Sequence, residues 1–269
     1  NEDKTPVVEI SFDGIETTET GFKAPRLSFS KNEYTKFYKA TIVSGDITGD
    51  AARQEEVRKA LEAGNKPGSA PVVTLYEDNS DIWNVGSGNC TAVALTYDST
   101  STAISLYMKR FTCDPDGRYT PKVNKFEWKN DKTNVLYSPY TTLFWNMQAD
   151  NVASLKYLCM RTDFLDYMVK NLNKSAEELA WEKGNEVNEE FLQKLVSDDG
   201  FATTFNTLKQ GTSYTLCICL VNDFGDRVFV TKTAETQGYV ASDFDKNKNL
   251  QDFIGAFKAY SDAVALFGT

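Results

Sequence analysis

Histidine is absent from all 269 residues. That one absence removes Ser-His-Asp and Cys-His catalysis, His-ligated metals and His-based pH sensing. Cysteine is scarce, with five residues: Cys90, Cys113, Cys159, Cys217 and Cys219. The odd number and the lack of a C-x-x-C pair argue against both a disulfide framework and a zinc site. Buried thiols acting as small hydrophobes account for them. Only Cys159, which could meet Cys217 or Cys219 across neighbouring strands, leaves pairing to geometry. No run of about 18 apolar residues exists, so no helix is expected to span a bilayer. Positive charge is in deficit: 29 Lys and Arg stand against 38 Asp and Glu, for a net charge of -9. Nucleic acid and anionic membrane surfaces, which call for a basic stripe, are therefore not expected partners. No catalytic constellation, cofactor fingerprint or metal-ligand spacing is evident, and none is assigned.

What is present is the material for a packed core. Hydrophobic residues make up 41% and aromatics 13% of the chain, and its length suits two ordinary domains. The first residue is Asn1, so either a leader has been removed or the chain has been trimmed. Residues 1–6 are polar and read as a tether.

The stretch from Leu208 to Thr236 organises the rest. Gly211 sits in a turn before the apolar run Tyr214 to Val221; Asn222-Asp223-Phe224-Gly225-Asp226 makes a second turn; Arg227 to Thr233 alternates. β-Branched and aromatic runs bounded by turn formers make a β-hairpin. The pattern Leu208, Gly211-Thr212, Tyr214, Leu216, Ile218, Asn222, Gly225 resembles the last two strands of a fibronectin type III domain. The resemblance implies that Tyr214 is a corner residue anchoring a sandwich core.

In chain order, Val7 to Phe29 reads as two strands punctuated by Gly14, Gly21 and Pro25, and Lys36 to Val43 as a third. Asp50 can cap a helix over 51–63, with Val57 and Leu61 on one face and Gly64 as the stop. Val72 to Tyr76 is a short strand. Thr91–Tyr97 and Ala103–Met108 form a hairpin around Asp98-Ser99-Thr100-Ser101, with Val93, Leu95 and Tyr97 taking the places of Leu216, Ile218 and Leu220. Asp114 to Pro121 reads as an interdomain turn. Strands resume at Val123–Trp128, Thr141–Met147 and Leu155–Arg161, the last parallel to Lys36–Ile42, each with a tyrosine (Tyr157, Tyr38). Helices follow: one capped by Asp163, one opened by the capping box Ser175-Ala176-Glu177-Glu178, one capped by Asn188. The strand from Tyr214 is apolar on both faces, so the helices between Phe164 and Val196 are expected to cover one of them. Residues 249–267 carry Leu250, Phe253, Ile254, Phe257 and Val264 near helical spacing, an amphipathic helix expected either to dock on the second domain or to bind a partner.

The chain thus repeats one plan: strands, a helical insertion after the third strand, a closing hairpin. It resembles tandem fibronectin type III-like (immunoglobulin-like) domains of a Bacteroidetes surface lipoprotein of unknown function. The expected fold is mainly β: two tandem sandwiches with helical insertions over 6–113 and 121–237, then a linker and C-terminal helix over 238–269. The resemblance implies a non-enzymatic cell-surface binding, adhesion or scaffold protein in the cell envelope, exported, with a lipid anchor upstream of Asn1. Its partner would be another envelope or extracellular protein, or a glycan; the alternative function is a carbohydrate-binding accessory protein of a glycan-uptake system.

Candidate chemistry is sparse. A pyranose CH face packs against aromatic rings, and Trp128, Tyr137, Tyr140 and Trp145 cluster in sequence. Core packing accounts for Trp145, so Trp128, Tyr137 and Tyr140 are the candidate ligand-binding residues. Asp243-Phe244-Asp245-Lys246-Asn247-Lys248-Asn249 resembles the start of a calcium loop, but Lys248 and Ile254 stand where the loop needs Gly and Glu. Gly86-Ser87-Gly88-Asn89 lacks the Lys of a phosphate loop and reads as a turn. Asp98-Ser99-Thr100 fits the short O-glycan acceptor pattern of Bacteroidetes proteins and equally a plain hairpin turn. Paired carboxylates could serve a glycosidase, but 38 acidic residues make that signal non-specific.

Overall fold

A computed structural model describes residues 4–131, 137–238 and 248–267. The chain divides into unit 1, Asn1–Thr120 with Asn222–Asp226, and unit 2, Pro121–Val221 with Arg227–Thr269.

Unit 1 opens with β1 (Val8–Thr17) and β2 (Lys23–Lys31), antiparallel neighbours whose register shifts between Phe12 and Ile15. Gly14 lies in that shift at φ +102, a conformation that only glycine adopts without strain, and so bulges the strand. β3 (Phe37–Ser44) leads to α1 (Ala51–Glu62), then β4 (Val73–Leu75), β5 (Asn79–Ile82), β6 (Gly88–Tyr97) and β7 (Ala103–Cys113). They form two sheets of order β1-β2-β5 and β4-β3-β6-β7. Leu27, Phe29, Tyr38, Ile42, Ala92, Ala94 and Phe111 fill the space between them.

Asp50 caps α1 as expected, its carboxylate accepting the Arg53 N–H at 3.0 Å. Val57 and Leu61 press onto Val43, Val93, Leu95 and Tyr97, so α1 covers the outer face of the four-stranded sheet. Lys39 ties the other end of the helix down, donating to the Leu61 carbonyl at 2.7 Å. β6 is consequently buried on both faces.

Unit 2 repeats the plan. β8 (Lys122–Lys129), β9 (Leu143–Asp150) and β12 (Phe201–Phe205) form a sheet of order β12-β9-β8; β10 (Ser154–Arg161), β11 (Asn185–Glu186), β13 (Ser213–Val221) and β14 (Arg227–Glu235) form the order β11-β10-β13-β14. Trp145 sits at the centre of the core against Tyr157, Phe191, Phe201 and Phe205. Between β10 and β11 come α2 (Thr162–Leu172) and α3 (Ala176–Lys183); α4 (Glu189–Leu195) precedes β12. α2 and α3 lay Leu165, Leu179 and Ala180 over Leu158, Cys217 and Cys219. α4 does otherwise: Leu195 and Phe191 join the core between the sheets. A Cβ on Gly184, at the end of α3, would stand 2.2 Å from the Ala180 carbonyl oxygen and 3.1 Å from that of Tyr157. Glycine is what lets the helix end meet β10.

Each unit is therefore an antiparallel sandwich of three strands against four, the arrangement expected of a fibronectin type III-like domain, with helices inserted after the third strand. The capping box at Ser175 and the cap at Asn188 form as expected. Four expectations are corrected. Asp163 is not a cap: Arg161 occupies the position without a side-chain bond, because β10 runs directly into α2 and Asp163 falls in the first turn. Val93, Leu95 and Tyr97 do not occupy the places of Leu216, Ile218 and Leu220; they face α1, while Cys90, Ala92 and Ala94 point between the sheets. β5, β11 and β12 add to the strands that the sequence predicts; β5 and β11 are short, polar edge strands without an apolar period. Finally, the C-terminal helix α5 (Lys248–Phe267) is not docked through its apolar residues: Phe253, Ile254, Phe257, Tyr260 and Val264 are exposed.

Candidate functional site

The bonding of the corner tyrosine sets the local frame. The Tyr214 hydroxyl accepts the Lys209 N–H at 2.9 Å, and the Tyr214 carbonyl accepts the Trp128 indole N–H at 2.9 Å. Tyr214 pairs with Arg161 on β10. There the chain passes from strand to helix, and the Thr162 hydroxyl bonds those of Thr215 and Ser213 at 2.9 and 3.1 Å, pinning the start of α2 to β13.

Above this frame, α2 presents Phe164 and Tyr167 to solvent, 50% and 60% exposed, with rings stacked at 6.2 Å and 11°. They flank a recess of about 610 Å³ whose remaining walls are Cys159, Met160, Arg161, Asp163 and Tyr214. Its centre is apolar and its rim charged. Arg161 Nε donates to Asp163 at 3.0 Å. The Arg161 hydrogen bond lowers the Asp163 pKa and raises that of Arg161, so the rim stays zwitterionic. Burial pushes the Cys159 thiol up to about 12, leaving it protonated and unreactive at neutral pH.

A second recess, about 470 Å³, lies on unit 1 and is lined by Ser11, Ser28, Ser30, Ser80, Asp78 and Asn79 with Glu9, Ile10 and Phe29. Ser28 donates to Asp13 and shares a hydrogen bond with the Ser80 hydroxyl at 2.9 Å; Ser30 donates to Asp78 at 3.2 Å. Hydrogen bonds from Ser28 and Ser11 hold the Asp13 carboxyl below its ordinary value.

The sequence-derived ligand residues separate. Trp128 is 4% exposed, in the core of unit 2 with its ring edge-on to Phe205. It is not available to stack on a sugar, because its indole N–H is used to hold β8 onto β13. Tyr137 is exposed, edge-on to Phe144 at 5.4 Å. Tyr140 is half-buried, its hydroxyl 3.5 Å from the Gln237 amide nitrogen. Trp145 is core, as its packing reading implied. Phe164 and Tyr167 were legible only in part: read as one helical face with Leu165, Met168, Val169 and Leu172, they form a stripe wider than the sheet can cover.

The other motifs resolve locally. Gly86 and Ser87 lead into β6, but Gly88 and Asn89, read as part of the turn, are its first two residues, paired with Cys113 and Thr112; the Gly86 carbonyl accepts the Cys90 thiol at 3.7 Å. Asp98 accepts the N–H groups of Thr100 and Thr102, both at 2.9 Å, as a hairpin turn requires. The calcium-loop-like run 243–249 falls largely outside the described residues; α5 begins at Lys248. All five cysteines are free, and Cys159 does not pair with Cys217 or Cys219. Cys159 lies opposite Leu216 while Leu158 lies opposite Cys217, so the two thiols project to opposite faces of the sheet. Among the described residues, every carboxyl with a resolved shift is shifted down, as at Asp46, Asp98 and Glu178. No described group of His, Cys, Asp or Glu side chains has the makings of a metal site.

No protein-family model matches the chain, and no curated protein matches it. Among solved structures, it is similar to a two-domain fibronectin type III segment of chicken tenascin, at 10% identity over 85% of this chain and 98% of that one, TM-score 0.32. It is also similar to the chicken CNTN1 FN1–FN3 domains, at 11% identity over 78% of this chain and 62% of that one, TM-score 0.27.

Proposed function

We propose that the protein is a non-enzymatic binding or scaffold protein of the cell surface, held by a lipid anchor upstream of Asn1, and that it engages a partner protein through the α2 face of unit 2. The observation that carries this reading is the exposed, stacked pair Phe164 and Tyr167 beside the Arg161–Asp163 rim. Aromatic side chains and arginine dominate the energetic centres of protein interfaces, and an apolar centre with a charged rim matches their anatomy. Rigidity supports the reading too: α2 starts on a strand end held by three hydroxyls, so the aromatic pair is presented in a fixed geometry.

The serine- and aspartate-lined recess of unit 1 favours a second reading, a carbohydrate-binding accessory protein of a glycan-uptake system. Its hydroxyls and carboxylates suit sugar hydroxyls; Tyr137 and Tyr140, on unit 2, are a separate candidate for stacking on a sugar ring.

The test is a glycan array beside surface capture from intact cells, run on the wild type, Phe164→Ala/Tyr167→Ala, Tyr137→Ala and Ser28→Ala/Ser80→Ala. Capture of one envelope protein, lost only in the α2 variant, supports the leading reading. Specific glycan binding lost in the Tyr137 or serine variants replaces it with the second.

A further inference from the structure

We infer that α5 is a self-association helix, pairing with α5 of a second copy of this chain. Along Lys248–Phe267, apolar residues recur in alternating steps of three and four: Leu250, Phe253, Phe257, Tyr260, Val264 and Phe267. That is the a and d spacing of a two-stranded coiled coil. The central members are turned to water: Phe253, Phe257 and Tyr260 are 66%, 64% and 69% exposed, and Ile254 and Val264 widen the same stripe.

Exposure of this size needs an occupant. An aromatic side chain contributes roughly 150–250 Å², so three of them together with Ile254 and Val264 would remove roughly 500 Å² per chain from water. Two chains reach about 1,000 Å², the lower bound of a specific interface. The residues beside the seam let two helices approach: Ala256, Ser261 and Ala263 are small by sequence. The helix has Lys248 and Lys258 against Asp252 and Asp262, so it adds nothing to the chain's net charge of -9. A neutral seam lets a second copy approach, whereas the acidity of the remainder opposes an anionic bilayer. With under three heptads of seam the pair is weak and concentration-dependent, not obligate.

The test is sedimentation equilibrium of the full chain from about 1 to 200 µM, with Phe257→Asp, Lys258→Ala and the wild type compared, and far-UV circular dichroism and thermal melting run on each. The expected result is a concentration-dependent dimer for the wild type and Lys258→Ala, and a dissociation constant raised roughly 30-fold or more by Phe257→Asp with the β-sheet signal and main melting transition unchanged. A wild type that stays monomeric at every concentration overturns the inference, as does a dimer that Phe257→Asp leaves intact. A monomer that floats with phosphatidylcholine vesicles through Phe257 also overturns it and assigns the stripe to lipid.

Discussion

The Tyr214 hydroxyl accepts the Lys209 backbone N–H at 2.9 Å, closing the corner that leads into the central strand of unit 2. Lys209 is exposed, so its N–H can turn to water once the hydroxyl is gone. Tyr214→Phe is therefore expected to cost about 1 kcal/mol, the net value of one hydrogen bond and not the penalty of a stranded donor. Urea unfolding followed by tryptophan fluorescence measures it, since Trp145 and Trp128 report on the same core. A loss well beyond that range would mean that the hydroxyl has a further partner.

The covered sheet face makes a stability prediction of its own. Leu179 is fully buried among Leu158, Leu165, Cys217 and Cys219. Leu179→Ala is expected to destabilise unit 2 by about 2–5 kcal/mol through the cavity it leaves, and to raise amide exchange along β13. Gly184→Ala should be costly too, since its Cβ would meet the Ala180 carbonyl oxygen at 2.2 Å. Neutral behaviour in both variants would mean that α3 is not seated on the sheet.

Alkaline pH should weaken the fold. Burial pushes the thiols of Cys90 and Cys219 from 9.0 up to about 11 and that of Cys159 up to about 12. A group whose pKa is raised by folding binds its proton more tightly in the native state. Its contribution is intact below the unfolded value and lost as pH rises through the folded one. Stability is thus expected to hold up to about pH 9 and then fall progressively towards pH 11–12, shown by the urea midpoint measured across that range. At pH 8 the native protein should react slowly with a thiol reagent, all five cysteines becoming reactive on unfolding.

Acid should act through the turn at 114–120. Burial works against ionisation of Asp114, but hydrogen bonds from Thr120, Tyr119 and Arg118 outweigh it and lower the pKa. A lowered pKa contributes stability above the unfolded value of 3.8 that is lost as pH falls through the folded one. Asp114→Asn should therefore flatten the pH dependence of stability below about pH 4. Retention of the full acid limb in that variant would assign it to other carboxylates.

Much of the fold was legible because its strands carry a period of two and its helices carry caps. Asp50, Ser175 and Asn188 each mark a helix start with a side chain that accepts a backbone N–H. Double burial hid the phase of β6: with apolar residues on both faces, alternation no longer says which set points inward. Ala92 and Ala94 face the bulky Tyr38 side and the larger Val93 and Leu95 face α1, a division set by tertiary packing. The ligand residues failed at Trp128 for a related reason. An aromatic in a strand reads the same in sequence whether it lines a core or a platform; burial against Phe205 and the bond to the Tyr214 carbonyl put Trp128 in the core.

The central claim is that α2 presents a binding face, and photo-crosslinking in intact cells tests it most directly. A photoreactive residue is placed at Tyr167 and, as the control, at the exposed Tyr76 of unit 1. The account predicts one discrete protein adduct from position 167, abolished by Phe164→Asp and absent from position 76. No adduct at 167, or the same adduct from both positions, would contradict it.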